Sequence, residues 1–332
     1  MTGTTQPGLP RRHIRRAVVT GSAGFIGSHL ARALLEQGTT VIGVDRRDEN
    51  SDQSAAANLA PLIGQPGFVP VTADLLTCAL EPVLLDADVV FHLAGMPGVR
   101  PSWGPQFSTY VQCNILATQR VMDAATRLGV PRVVVASSSS VYGLTKAGAS
   151  LETDHLHPAS PYAVTKLAEE QLCLAHAARP DCHTTVLALR YFTVYGPRQR
   201  ADMFIHRALY AAFSGTPLRV YGDGNQRRDF TYIDDAVSAT LAAATASDDT
   251  GVVNVGGGTN ASLAEVIQLA EQLTGRTVSV EYFTTRNGDV PVTRADSSRA
   301  LTHLDWKPRV DLAAGMGAQL QHIARRTARQ AA

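Results

Sequence analysis

The chain is poor in the features that mark secreted, membrane-spanning or nucleic-acid-binding proteins. Of its 332 residues only four are cysteine (Cys78, Cys113, Cys173 and Cys182), with neither a CxxC pair nor a Cys/His spacing suited to metal. That scarcity argues against a disulfide framework or a structural zinc and fits free thiols in a reducing cytoplasm. A formal net charge of +1 gives no electrostatic basis for holding nucleic acid or an anionic membrane. No uncharged apolar run is long enough to span a bilayer, and the N-terminus lacks the apolar stretch of a signal peptide. The expectation is a cytoplasmic protein with no membrane and no nucleic acid among its partners. The most basic stretch, RRHIRR at 11–16, reads as a solvated terminus, and residues 1–12 are expected to be disordered.

What the sequence does contain is alternation. Short apolar runs at 17–21, 41–45, 68–74, 88–95, 132–137 and 184–192 read as strands. Amphipathic stretches at 24–38, from about Trp103 to Leu128, and at 161–179 read as the helices between them. Strand, helix, strand repeated in this way predicts an α/β fold, a Rossmann-type doubly wound parallel sheet. After about residue 193 the pattern breaks into Gly-, Pro- and Arg-rich loops at 196–202 and 215–229 with a short helix between them. GVVNVGGG (251–258) reads as a strand returning to the main sheet, and Ser262 with Glu265 forms a capping-box signature. The expected division is 13–192 plus about 230–258 as a NAD-binding domain, and about 193–229 plus 259–330 as a smaller, discontinuous C-terminal substrate-binding lobe.

TGSAGFIGSHL sets Gly21, Gly24, Phe25, Ile26 and Gly27 between the first strand and the first helix. Glycines there let the turn close and the backbone approach a pyrophosphate seated on the helix N-terminus. Asp45 ends the next strand, where a carboxylate accepts bonds from ribose hydroxyls and repels a 2′-phosphate, favouring NAD over NADP. Arg46 and Arg47 follow it and soften that preference. Asp74, ending a further strand, reads either as an adenine-edge contact or as a carboxylate capping a loop. Tyr162 and Lys166 stand four apart on one helix face, a common pairing that gains meaning beside the glycine loop and the serine-ended strand RVVVASSSS.

The residues T-G-x-x-G-F-I-G (20–27), H-L-A-G (92–95), S-S-S-S-V-Y-G (137–143) and Y-x-x-x-K (162–166) resemble the extended short-chain dehydrogenase/reductase superfamily, in its nucleotide-sugar epimerase and dehydratase branch. R-Y-F-T-V-Y-G-P (190–197), R-D-F-T-Y-I-D-D (228–235) and ADSSRALTHLDWKP (295–308) extend the likeness over nearly the whole chain. The resemblance implies bound NAD, with Leu75, Leu93, Tyr162 and Lys166 joining the glycine loop, Asp45 and Asp74 around it. It implies that Tyr162 removes a sugar hydroxyl proton while hydride leaves the same carbon, that Lys166 favours the phenolate, and that Ser138 holds the hydroxyl. It also implies a homodimer formed through the helices near 103–128 and 161–179.

Related sugar 4,6-dehydratases carry Asp and Glu where this chain has Ser139 and Ser140, and related UDP-glucuronate decarboxylases typically carry Glu at the position of Ser140. Hydroxyls donate hydrogen bonds but do not replace carboxylates as general acid and base. That leaves 4-epimerisation, and the serine run with 94–103 and 191–200 is most similar to UDP-glucuronate 4-epimerases. Under that likeness Ser139, Ser140 and Thr193 are expected to hold the sugar carboxylate away from the geometry in which CO₂ is lost. Arg200 anchors them, with Arg100 a weaker choice, and Arg228 and Arg286 meet the nucleotide diphosphate of a UDP-sugar. The other reading of Ser139 and Ser140 is a polar turn bonding its own backbone. One departure from the pattern is Ala201, where proline commonly follows GPRQR. The competing functions are a UDP- or dTDP-hexose 4-epimerase of the UDP-glucose type, a UDP-glucuronate decarboxylase and, outside enzymes, a dinucleotide sensor on the same fold.

Overall fold

The computed structural model describes residues 13–144, 148–247 and 249–331. The segment 1–12, expected to be disordered, lies outside them and takes with it the first two residues of RRHIRR.

The first strand, β1 (Arg16–Thr20), runs through the glycine loop into α1 (Phe25–Glu36), and β2 (Thr40–Asp45) follows. Next come α2 (Gln53–Leu59), β3 (Phe68–Thr72), the single turn α3 (Glu81–Leu84) and β4 (Val89–His92). α4 (Phe107–Tyr110), a π-helical turn (Val111–Leu116) and α5 (Ala117–Arg127) form one interrupted helix ahead of β5 (Arg132–Ser138). α6 (Pro161–Ala177) and β6 (Thr185–Tyr191) complete this run, and β10 (Gly251–Val255) later adds one more strand. The sheet has the order β10-β6-β5-β4-β1-β2-β3 with every pair parallel. Strand order reverses between β1 and β4, so the loops at their carboxyl ends splay apart and leave a crevice there.

Strands covered on both faces need apolar side chains at successive positions, and Val133, Val134 and Val135 show this directly. All three are fully buried, with Val134 in the core on one face and Val133 and Val135 in the core on the other. The first core also holds α1 and α8 (Ile233–Thr245), and the second holds α5 and part of α6.

The remaining strands depart from the sequence reading of 215–229 as loop. β8 (Leu218–Tyr221) pairs with β12 (Val280–Phe283), and β9 (Arg227–Tyr232) lies between β7 (Thr193–Tyr195) and β11 (Thr259–Ser262). These strands are three to six residues long and bounded by Gly and Pro, too short for a period-2 signal to stand out. The helix expected from about Trp103 begins only at Phe107, behind Gly104 and Pro105, and carries the π-turn in its middle. α7 (Phe204–Ser214), α9 (Leu263–Thr274), α10 (Ser298–Leu304) and α11 (Leu312–Ala331) make up the rest, and the Ser262–Glu265 capping box is present at the start of α9. Among the described residues no helix is long and apolar enough to cross a membrane.

Candidate active site

A cleft of about 660 Å³ opens at the carboxyl ends of the main strands. Its lining contains Gly21, Gly24, Phe25, Ile26, Gly27, Asp45, Asp74, Leu75 and Leu93 at one end. Ser138, Ser139, Ser140, Tyr162, Lys166, Thr193, Arg200 and Arg228 line it further on. Arg100 and Arg286 are not in that lining. Each guanidinium lies 4.3 Å from the ring centroid of Tyr221, and Arg100 also pairs with Asp289 of the cleft wall at 3.1 Å.

The glycine loop closes on itself as tightly as backbone allows. A Cβ on Gly27 would stand 2.2 Å from the Gly21 carbonyl oxygen, so no side chain fits. The N-cap of α1 is Gly24, which has no side chain to cap the helix, leaving its first N–H groups for a ligand anion. Asp45 fixes this loop as well as facing the cleft: its Oδ2 accepts from Ala23 N at 3.1 Å and its Oδ1 from Arg47 N at 3.0 Å. The Asp74 carboxylate accepts from Leu76 N at 2.9 Å. A tight glycine cradle, an uncapped helix start, a carboxylate ending β2 and another two residues past β3 fit the pyrophosphate and ribose of a dinucleotide.

Beneath the loop, His92 is buried between two threonines. Thr118 Oγ1 spends its proton on the Asn114 carbonyl at 2.8 Å, so it accepts from His92 Nε2 at 2.9 Å, and His92 Nδ1 accepts from Thr20 at 2.9 Å. Burial, reinforced by the Lys166 charge, holds the imidazole neutral by lowering its pKa to about 3. Thr20 Oγ1 accepts in turn from Leu93 N and Ala94 N, both at 3.2 Å, and so fixes the H-L-A-G turn against β1. Asn114, in the π-turn, accepts from Met96 N at 2.6 Å and donates to Met96 O and to Thr165 Oγ1. This clamp on the cleft wall was not legible in the sequence, where Asn114 is one polar residue within a helix. A π-turn at such a place commonly serves to aim a side chain.

The serine run divides by partner. Ser137 Oγ donates to Glu170 Oε2 at 2.6 Å inside the protein. Glu170 also receives a two-pronged bond from Arg190, at 2.9 and 2.6 Å, and Arg190 donates on to the Tyr142 hydroxyl at 2.9 Å. Tyr142 donates to Asn254 of β10 at 2.7 Å. Residues on both sides of Ser138–Ser140 are thus bolted to the core. Gly143 then turns the chain at φ +66°, where an added Cβ would meet the His157 carbonyl at 1.6 Å. Ser138 ends β5, and Ser139–Tyr142 form a 3₁₀ turn. Ser140 donates to Ser138 through its hydroxyl at 2.9 Å and through its backbone N–H at 3.2 Å.

α6 starts at Ser160, whose Oγ accepts from Ala163 N at 3.2 Å, with Pro161 at the first helical position. Tyr162 and Lys166 follow one turn apart, and the Tyr162 ring packs edge to face on Tyr110 with centroids 6.1 Å apart. Lys166 is 6% exposed and its ammonium is bonded to the fully buried Glu169. Burial acts to lower the ammonium's pKa, but Glu169 and Tyr162 more than offset it and the net direction is up. Glu169 and Glu170 were read only as part of a helix. Their signal was position, since both stand three or four residues after Lys166 and so share its face.

Across the cleft, Arg200 binds Asp202 through Nε at 2.9 Å and Nη2 at 2.5 Å, and Arg228 donates to the Arg227 carbonyl at 2.9 Å. Among the described residues no cluster of His, Cys, Asp and Glu could hold a metal ion. The carboxylates in the cleft lining are Asp45, Asp74 and Asp289, and none stands in the serine run.

The chain matches the model of the NAD dependent epimerase/dehydratase family over residues 17–256. It is 40% identical over 311 residues to the "Uncharacterized UDP-glucose epimerase YtcB" of Bacillus subtilis (strain 168), covering 93% of this chain and 98% of that protein. It is similar to MoeE5 solved in complex with UDP-glucuronic acid and NAD, with a TM-score of 0.87, 45% identity, and coverage of 94% of this chain and 99% of the other. The UDP-glucuronic acid 4-epimerase of Bacillus cereus, in complex with UDP-glucuronic acid and NAD, aligns with a TM-score of 0.90 and 40% identity over 94% of this chain and 99% of its own.

Proposed function

The chain belongs to the NAD dependent epimerase/dehydratase family, and from that premise we propose that it is an isomerase, an NAD-dependent 4-epimerase that converts UDP-glucuronate into UDP-galacturonate. The observation that carries this reading is the meeting of Tyr162, Lys166 and Ser138 in a cleft whose serine run offers hydroxyls and no carboxylate. Water elimination needs an acid and a base beside the sugar, and Ser139 and Ser140 supply neither.

NAD, when bound, would supply the hydride acceptor and donor for redox chemistry at C4. The chain's residues do the rest. Asp45 would accept from the adenosine ribose, and the glycine loop and the start of α1 would receive the pyrophosphate. Ser138 holds the C4 hydroxyl while Tyr162 takes its proton, and Tyr162 returns that proton when C4 is reduced. Lys166 stabilises the phenolate, which a phenol of ordinary pKa about 10 would not otherwise form at neutral pH. While C4 is a ketone, the neighbouring carboxylate is β to it and leaves as CO₂ if its bond lies perpendicular to the carbonyl plane. Ser139, Ser140 and Thr193 hold it out of that geometry, Ser140 by turning its hydroxyl from Ser138 to the carboxylate. Arg200, steadied by Asp202, anchors this group, with Arg100 a lesser contributor, and Arg228 and Arg286 serve the diphosphate.

The reading extends to a homodimer in a reducing cytoplasm. Leu116 beside α5 and Val164 on α6 are 49% and 48% exposed, an apolar face of the kind that helix pairing covers. The four cysteines are free thiols.

A neutral-sugar 4-epimerase is the second reading, supported by the name of the Bacillus subtilis relative. Purified enzyme offered UDP-glucuronate and UDP-glucose in parallel, with products read by NMR, is expected to form UDP-galacturonate and to prefer the uronate. A clear preference for UDP-glucose would assign the second reading, and a UDP-pentose product would make the chain a decarboxylase.

A further inference from the structure

Behind Tyr162 and Lys166 lies a carboxylate that the reaction just described does not use. Glu169 is fully buried, one turn along α6 from Lys166. Its Oε2 takes the Lys166 ammonium, while its Oε1, equally buried, has no hydrogen-bond partner among the described residues. The titratable and charged groups around it are few. On α6 they are Lys166, Glu170 and Cys173. From β6, Arg190 is committed to Glu170, and from β4, His92 is buried and neutral. Glu169 and Tyr162 therefore share the Lys166 cation, while Tyr162, on the cleft wall, is also faced by Arg200 and Tyr110.

We propose that Glu169 is a positioning residue for the reaction: it competes with Tyr162 for the one Lys166 ammonium and so sets how readily Tyr162 gives up its proton. The inference rests on the reading of Tyr162 and Lys166 as the proton-transfer couple. With Glu169 protonated, the whole Lys166 charge favours the phenolate. With Glu169 ionised, much of that charge is neutralised, and Tyr162 ionises only at higher pH. Burial pushes the carboxyl up to about 7 against the pull of Lys166. The sign follows: as pH rises through that value Glu169 becomes an anion, and the ionisation of Tyr162 is displaced upward.

The test compares the pH dependence of kcat/KM for UDP-glucuronate, with NAD bound, between wild type, Glu169→Gln, Glu169→Asp and Glu169→Met. In the Gln and Met variants the rising limb assigned to Tyr162 is expected about one pH unit or more below that of the wild type. The Asp variant should fall between them. Titration of phenolate ultraviolet absorbance, taken as the difference from a Tyr162→Phe background, should move in the same direction and reads the ionisation without turnover. Limbs and titrations that superimpose overturn the proposal, even if every variant loses activity uniformly. A wild-type protein that turns over no UDP-sugar would overturn the functional reading instead, and the phenolate titration would still decide the role of Glu169.

Discussion

Tyr162→Phe is expected to lower kcat by about 10²–10⁴-fold with thermal stability and NAD affinity close to those of the wild type, as measured by steady-state kinetics, thermal melts and cofactor titration. The substitution deletes one oxygen. The ring that packs edge to face on Tyr110 remains, as does the Tyr162 backbone carbonyl that Thr165 Oγ1 donates to at 2.8 Å. On the proposed reading what is lost is the acceptor for the C4 hydroxyl proton, and no other titratable side chain on α6 replaces it. Lys166 is protonated and committed to Glu169, and Glu169 lies buried behind it. A thousandfold loss corresponds to about 4 kcal/mol of transition-state stabilisation. Full turnover by the variant would remove Tyr162 from the chemistry.

Glu170→Ala should act on stability instead, by about 3–5 kcal/mol, read as a lowered urea midpoint. Glu170 is fully buried and Arg190 is 2% exposed, so removing the carboxylate leaves a guanidinium inside the protein with no counter-charge. The loss also frees Ser137 and loosens Tyr142, the two residues that hold the ends of the cleft-lining serines. The double variant Glu170→Ala/Arg190→Leu, in which no charge is stranded, should recover part of the stability. A Glu170→Ala protein as stable as wild type would show that the pair does not brace the serine run.

The residues that meet the cleft were largely legible because each sits at a place that sheet topology brings to one edge. Gly21 to Gly27 follow β1, Asp45 ends β2, and Ser138 ends β5. A parallel sheet gathers all these ends together whatever lies between them. The supports were hidden because they join segments distant in sequence. Arg190 reaches Glu170 and Tyr142, while His92 links Thr20 to Thr118. Neither link has a periodicity or spacing to betray it. The short strands β8, β9 and β12 were missed for a related reason, since each is fixed by its partner strand more than by its own pattern. Arg100 and Arg286, which the proposed reading keeps at the substrate, stand at Tyr221 outside the cleft lining, with Arg100 paired to Asp289 of its wall.

Epimerisation of a uronate at C4 returns the hydrogen to the carbon it left and keeps the carboxylate, whereas dehydration moves that hydrogen to another carbon and decarboxylation loses the carboxyl carbon. UDP-glucuronate labelled with deuterium at C4, incubated with the enzyme in ordinary water, should give UDP-galacturonate that keeps its deuterium at C4, as read by NMR and mass spectrometry. UDP-galacturonate that has lost the label to solvent, or a UDP-pentose released with CO₂, would contradict the account.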